Sequence, residues 1–264
     1  MNRKGIILAG GTGSRLFPIT HSVNKQLLPV YDKPMIYYPL STVMKAGVRD
    51  ILIIIGSDLS LMLFKNLLGD GSQFGINIKY SIQESPNGIA EAFIIGEDFL
   101  GDNSAVLALG DNIFHSYILN ALINSARFSY AIDNSIFGCK VAEPSAYGVA
   151  CLDKGGYLVD IEEKPFSPKS NWAVPGLYFY DSSVVKKAKS LKPSARGELE
   201  ITDLSREYIR DGLQFHTLDD AFWFDCGTHD SLLEASQFVQ AAQVRTGEKI
   251  GDPGTIARKH GWIK

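Results

Sequence analysis

Gly5-Ile6-Ile7-Leu8-Ala9-Gly10-Gly11-Thr12-Gly13-Ser14-Arg15-Leu16 opens on an apolar run bounded by glycine and passes directly into a glycine-rich turn. Gly5 to Ala9 is too short for a helix and reads as a strand buried in a parallel sheet. Gly10, Gly11 and Gly13 permit left-handed backbone and let main-chain N–H groups approach phosphate oxygens. Arg15 can fork onto a phosphate, and Lys25 supplies a mobile point charge. Two familiar phosphate motifs fail. A Walker A loop ends Gly-Lys-Ser/Thr, where this chain has Gly13-Ser14-Arg15, and a GxGxxG pattern breaks at Leu16. A sharp strand-to-loop turn beside a surface arginine explains the glycines equally well. Lys25 and the strand-end position shift the balance toward anion binding.

Working outward, Asp50 to Gly56 contains five consecutive Leu or Ile residues, as expected of a strand covered on both faces. Ser104 to Leu109 is a third such run and ends at Gly110-Asp111, whereas Ile76 to Ile82 alternates more openly and suits an edge. Helical stretches lie between them: Met35 to Lys45 with Pro34 in the first turn and Gly47 at the end, Leu59 to Leu68 before Gly69, and Ile89 to Phe99 near Gly101. Strand and helix alternating in this way predict right-handed crossovers and a mostly parallel sheet. Farther on, Tyr147 to Leu152 and Tyr157 to Glu162 flank a glycine turn, and Ala173 to Tyr180 reads as one strand. Val184 to Ser190, Asp203 to Arg210 and Leu232 to Val244 read as helices, with Phe215 to Asp225 returning to strand. Residues 1–264 read as one α/β domain with insertions.

A net charge of -3 offers no broad basic face for nucleic acid. Cys139, Cys151 and Cys226 form no CxxC pair and read as reduced structural thiols. The N-terminal apolar run is too short for a membrane span or a signal-peptide core, which sets a cytoplasmic expectation.

Asp111 and Asp225 each follow an apolar strand, but each taken alone reads more readily as a turn former or helix cap than as a metal ligand. Gln83 and Gly88 bracket a polar loop, and Glu162-Glu163-Lys164 reads as a solvated charge run.

Gly10-Gly11-x-Gly13-x-Arg15-Leu16-x-Pro18-x-Thr20, followed by Lys25-Gln26-Leu27-Leu28-Pro29, resembles the signature of the sugar-phosphate nucleotidyltransferases. Tyr31 to Thr42, Leu109 to Phe114 and Pro193 to Asp203 extend the resemblance over nearly the whole chain, closest to the members that transfer a thymidylyl group. It implies a three-layer Rossmann-like α/β fold, its mixed, mostly parallel sheet flanked by helices. Sugar-binding and C-terminal dimerisation insertions would belong to the single domain. The implied reaction joins dTTP and glucose 1-phosphate into dTDP-glucose, releasing pyrophosphate, in a homo-oligomer such as a dimer of dimers.

By the same resemblance Arg15, Lys25, Asp111 and Lys164 are catalytic, and Asp111 and Asp225 bind Mg²⁺. Gly10, Gly11, Gly13, Gln26, Gln83 and Gly88 match nucleotide-binding positions. Gly148, Glu163, Lys164, Val174, Tyr178 and Arg196 match the sugar-phosphate site. Glu84, Asn87, Pro175 and the segment Asn120 to Phe137 depart from the family wording. Relatives commonly continue past the position of Lys264 with a segment that aids subunit contacts and a secondary nucleotide site, where dTDP-rhamnose feedback would act. The alternatives are a UTP-dependent or different-sugar transferase, and a sugar-nucleotide-binding regulatory protein without turnover.

Overall fold

The computed structural model describes residues 3–126 and 133–264, so the segment 120–137 lies partly outside it. Strands β1 (Arg3–Ala9), β2 (Pro29–Val30), β3 (Lys33–Pro34), β4 (Asp50–Ile55) and β5 (Asn77–Ile82) come first, then β6 (Ser104–Leu109), β7 (Asn112–His115) and β8 (Ser135–Lys140). β9 (Gly148–Leu152), β10 (Leu158–Glu163), β11 (Trp172–Val174), β12 (Leu177–Tyr180), β13 (Gln214–Thr217) and β14 (Phe222–Asp225) follow. The helices are α1 (Tyr37–Lys45), α2 (Asp58–Leu68), α3 (Glu91–Ile95), α4 (Glu97–Leu100), α5 (Tyr117–Ser125), α6 (Val184–Ser190), α7 (Ile201–Ile209), α8 (His229–Thr246) and α9 (Pro253–Lys259). Parallel core strands with helical crossovers follow the alternation, and together they form the Rossmann-like mixed α/β architecture that the resemblance implies. Among the described residues no helix is long and apolar enough to cross a membrane.

The chain divides into two compact units interleaved in sequence. The first contains Lys4–Pro86, Ala108–His115 and Phe222–Lys264; the second contains Asn87–Leu107 and Ser116–Ala221.

In the first unit β1 runs parallel to β4, pairing Gly5 with Ile51 through Ala9 with Ile55, and β4 runs parallel to β5. Ile51 to Ile55 are essentially inaccessible, which is why that run carries no polar alternation. The long helix α8 buries Ala235 and Val239 against Val30, Tyr38, Ile113 and Phe224. Its start is fixed by a reciprocal capping box between Thr228 and Ser231. Pro34 does not open a helix. It pairs with Pro29 in the β2–β3 ladder, and the next two amides donate to the Leu28 and Gln26 carbonyls. The helix starts at Tyr37, with Pro39 in its first turn, where a missing N–H costs nothing.

In the second unit the strand order is β10-β9-β11-β8-β12-β6, with β13 also pairing β8 in parallel. The pairings of β9 with β10 and β11, and of β8 with β11 and β12, are antiparallel. The single strand expected over Ala173–Tyr180 is interrupted. Ala173 faces Cys139 and Tyr178 faces Ile136, so residues 173 to 178 span the same ladder as 139 to 136. The surplus forms a bulge at Pro175-Gly176, where proline has no N–H for the ladder. Phe215 to Asp225 also divides, β13 belonging to the second unit and β14 to the first. The Ile89–Phe99 helix breaks at Gly96 into α3 and α4, at the residue with the weakest helical preference in that run. Tyr180 stacks on Tyr208 of α7 at 4.6 Å and donates to or accepts from Ser205 at 2.7 Å, fixing α7 on the sheet.

Candidate active site

The glycine turn at the end of β1 is held open by its neighbours. Gly13 has φ 65°, a left-handed conformation that a side chain would strain. The Thr20 hydroxyl donates to the Gly13 carbonyl at 2.7 Å, and the Asn24 amide donates to the Ala9 carbonyl at 3.1 Å. Asn24 also accepts from the Gln26 amide at 2.9 Å, capping the short turn that carries Lys25. A Cβ on Gly56 would lie only 2.5 Å from the Gly10 carbonyl oxygen, so the end of β4 can approach the loop only as glycine. A cleft of about 300 Å³ opens there, lined by Gly10, Gly11, Thr12, Asn24, Gly56 and Ser57 among others. Its volume is in the range of a small-molecule site.

Lys25 and Asp111 form a buried ion pair. Burial would push the Asp111 carboxyl up, but the Lys25 charge and hydrogen bond, aided by Asn112 at 2.9 Å, outweigh it and hold the group below the usual carboxylate range. Asp225 is brought alongside by backbone pairing. β14 runs antiparallel to β7 with Asp225 opposite Asn112, and the Cys226 amide donates to the Asp111 carbonyl at 3.0 Å. Burial, followed by the charges of Asp111 and Asp225, pushes the Cys226 thiol far up, so it stays a neutral packing group. The Trp223 indole donates to Asn112 at 2.7 Å and braces the same strand pair. A Cβ at Gly227 would lie 2.6 Å from Arg15 Nη2 and 3.2 Å from Asp225 Oδ1, which places both charged groups at that glycine.

Gln83 is buried at the end of β5, its amide donating to the Ile55 carbonyl at 2.8 Å and its Oε1 lying 3.3 Å from where a Gly10 Cβ would stand. Gln26 is also buried, and its Oε1 has no hydrogen-bond partner among the described residues. An unpartnered buried acceptor costs about 1–3 kcal/mol, so it marks a position where a ligand N–H would be welcome.

In the second unit, Gly148 pairs with Glu163 on one side and Val174 on the other, so three predicted sugar-site residues form one row across β10, β9 and β11. A Cβ at Gly148 would approach Thr202 Cγ2 to 3.0 Å and Glu163 Oε2 to 3.6 Å, so glycine keeps the space over the row clear. Burial pushes the Glu163 carboxyl up and Glu200 adds to this, against Lys164 and Arg196. The Tyr178 phenol is pushed well up, chiefly by burial and then by Tyr180 and Glu163, which keeps it a neutral donor. Lys164 has φ 43°, unusual without glycine, and its amide is tied to the Tyr147 carbonyl at 3.0 Å. Arg196 Nη2 meets Glu163 Oε1 at 3.3 Å. Gly88 has φ 108°, and a Cβ there would run into the Leu199 backbone at 2.3 Å.

The first unit therefore gathers Gly10, Gly11, Gly13, Arg15, Lys25, Asp111 and Asp225. The second gathers Gly148, Glu163, Lys164, Val174, Tyr178 and Arg196. Sequence reading missed Asn24, Gly56, Gly227 and Glu200; only Gly56, closing a five-residue apolar run, carried a visible signal.

A glycine-lined strand end beside a buried lysine and two carboxylates belongs to α/β proteins that handle phosphate esters. The nucleotidyl transferase family model matches residues 4–242, and the chain belongs to that family. It is 53% identical over 265 residues to a glucose-1-phosphate thymidylyltransferase of Xanthomonas campestris pv. campestris (strain B100), covering 99% of this chain and 88% of the relative. Against the enzyme of that name from Neisseria meningitidis serogroup A, identity is 53%, covering 98% and 90%. Among solved structures, a candidate glucose-1-phosphate thymidylyltransferase from Bacillus anthracis, in complex with a sucrose, matches with a TM-score of 0.81 and 42% identity over 89% of this chain and 94% of that one. A UDP-glucose pyrophosphorylase complexed with UDP-glucose matches with a TM-score of 0.78 and 26% identity, covering 92% and 100%.

Two substitutions test this geometry. Gly56→Ala should displace the Gly10 carbonyl and lower kcat/KM by roughly 10- to 100-fold, with the circular dichroism of the native protein retained. Lys25→Met leaves the Asp111 charge buried and should cost about 3–5 kcal/mol in urea unfolding, and adding Asp111→Asn should recover most of that loss.

Proposed function

We propose that this chain transfers a thymidylyl group from dTTP to glucose 1-phosphate, yielding dTDP-glucose and pyrophosphate. The observation that carries the reaction class is the convergence of Arg15, Lys25, Asp111 and Asp225 on the glycine turn through the β7–β14 pairing. Support for the substrates comes from the relatives of that name, 50–53% identical over 98–99% of the chain.

An oxygen of the glucose 1-phosphate phosphate attacks the α-phosphorus of dTTP. A new P–O bond forms as the bond to the β-phosphate oxygen breaks, and the electron pair leaves with pyrophosphate. The attacking phosphate is already ionised, so the step requires no protein base. Positioning and charge stabilisation carry the catalysis. The glycine turn and Arg15 bind the triphosphate, and Lys25 offsets charge as the bonds change. Gln26, Gln83 and Gly88 read the base. In the second unit, Glu163, Gly148, Val174 and Tyr178 hold the sugar, while Lys164 and Arg196 restrain the attacking phosphate.

The donor set suits Mg²⁺. Asp111, in the turn just before β7, and Asp225, at the end of the paired strand β14, offer hard oxygen ligands, and Mg²⁺ commonly takes only one or two protein carboxylates beside water and phosphate. When bound there, the ion neutralises phosphate charge and orients oxygens. The chain works as a cytoplasmic homo-oligomer, and sedimentation at assay concentration would read its assembly state directly.

A substrate panel tests the reading: dTTP against UTP, and glucose 1-phosphate against galactose, mannose and N-acetylglucosamine 1-phosphates, followed by pyrophosphate release. Highest kcat/KM is expected for dTTP with glucose 1-phosphate. Preference for UTP or another sugar would reassign the substrates, and no release with any pair would reject the transferase.

A further inference from the structure

Glu200 stands immediately before α7 and is buried, yet its carboxylate caps no helix amide. Its oxygens face Arg196 instead. Oε1 accepts from Arg196 Nε at 3.1 Å and Oε2 from Arg196 Nη2 at 2.8 Å, a two-point fork along one edge of the guanidinium. Oε1 also accepts from the Ser194 hydroxyl at 2.6 Å. The other Nη2 contact goes to Glu163 Oε1, at 3.3 Å. An arginine has five N–H donors, and the two on Nη1 have no hydrogen-bond partner among the described residues.

Three carboxylates surround this one guanidinium, since Glu198 Oε2 also lies 3.7 Å from Nη2. With rotamers of similar energy available, such an arginine would exchange between acidic partners. The two-point fork to a buried carboxylate removes that freedom. The turn beneath it is fixed as well: the Ser194 amide donates to the Glu198 carbonyl at 2.9 Å and the Gly197 amide to the Ser194 carbonyl at 2.8 Å. The Leu199 amide donates to the Asn87 carbonyl at 2.6 Å, and the Ala90 amide to the Leu199 carbonyl at 3.2 Å, anchoring the turn on the segment that holds Gly88.

We propose that Glu200 is a positioning residue for the acceptor, holding Arg196 by its Nε/Nη2 edge so that Nη1 is presented to the phosphate of the sugar 1-phosphate. The proposal rests on the transferase reading above. Glu200 touches no substrate; its effect passes entirely through Arg196.

Steady-state kinetics of the full-length wild type, Glu200→Gln, Arg196→Ala and the double variant provide the test. Glu200→Gln should raise KM for glucose 1-phosphate roughly tenfold, because it breaks a charge-assisted fork, and should leave KM for dTTP within about twofold. Added to Arg196→Ala, it should change neither constant further. An unchanged KM for glucose 1-phosphate in Glu200→Gln, or an equal effect with and without Arg196, would overturn the proposal. If Glu200→Gln fails to fold, Ser194→Ala takes its place and should raise the same KM about two- to threefold; no rise overturns the proposal. Normal wild-type turnover with unaffected variants removes the Glu200 role alone, whereas absent wild-type turnover removes the transferase reading and this proposal together.

Discussion

A carboxylate withdrawn from water must be met by a counter-charge, and at Asp111 that charge is Lys25. The pair requires the turn at Lys25 and the strand end at Asp111 to be placed together, and several local features meet that need. Asn24 caps the turn, the amides after Pro34 grip the carbonyls of Gln26 and Leu28, and Asn112 takes the second Asp111 oxygen. The Cys226 amide then holds Asp225 beside the pair from a remote part of the chain. Charge balance at one residue thus dictates backbone geometry in four segments.

The second unit solves a different problem by different means. Three of its predicted sugar-site residues, Glu163, Gly148 and Val174, lie on one row across three antiparallel strands, where register sets their spacing. Here acids outnumber bases: Glu163, Glu198 and Glu200 face Lys164 and Arg196. In the proposed reaction carboxylate oxygens would accept from sugar hydroxyls, which donate hydrogen bonds, while the phosphate end would depend on cations that remain correctly aimed. A left-handed backbone at Lys164 and a fork from Arg196 to the buried Glu200 carboxylate restrict two otherwise flexible side chains.

Much of this is legible in the amino-acid sequence. The apolar runs at Gly5–Ala9 and Asp50–Gly56 announce buried parallel strands, and the family motifs name most of the residues that cluster. The misreadings have physical causes. Pro34 carries a helix-start signal but is committed to a two-residue ladder, a long-range pairing with no local pattern. Phe215 to Asp225 is apolar and aromatic enough to read as one strand, although its halves pair with different partners. Glu200 looks like one acid in a charged loop, because burial is a tertiary property. The partnership of Asp111 and Asp225 is likewise invisible residue by residue and comes only through resemblance, since antiparallel pairing between distant segments leaves no spacing rule.

In the proposed reaction those two carboxylates hold one divalent cation against the triphosphate. Crystals grown with dTTP and Mn²⁺, examined at the manganese absorption edge, measure this directly. A single anomalous peak within coordination distance of both Asp111 and Asp225, and of a dTTP phosphate oxygen, is the predicted result. A fully occupied peak held by other side chains, with neither aspartate in reach, would contradict it.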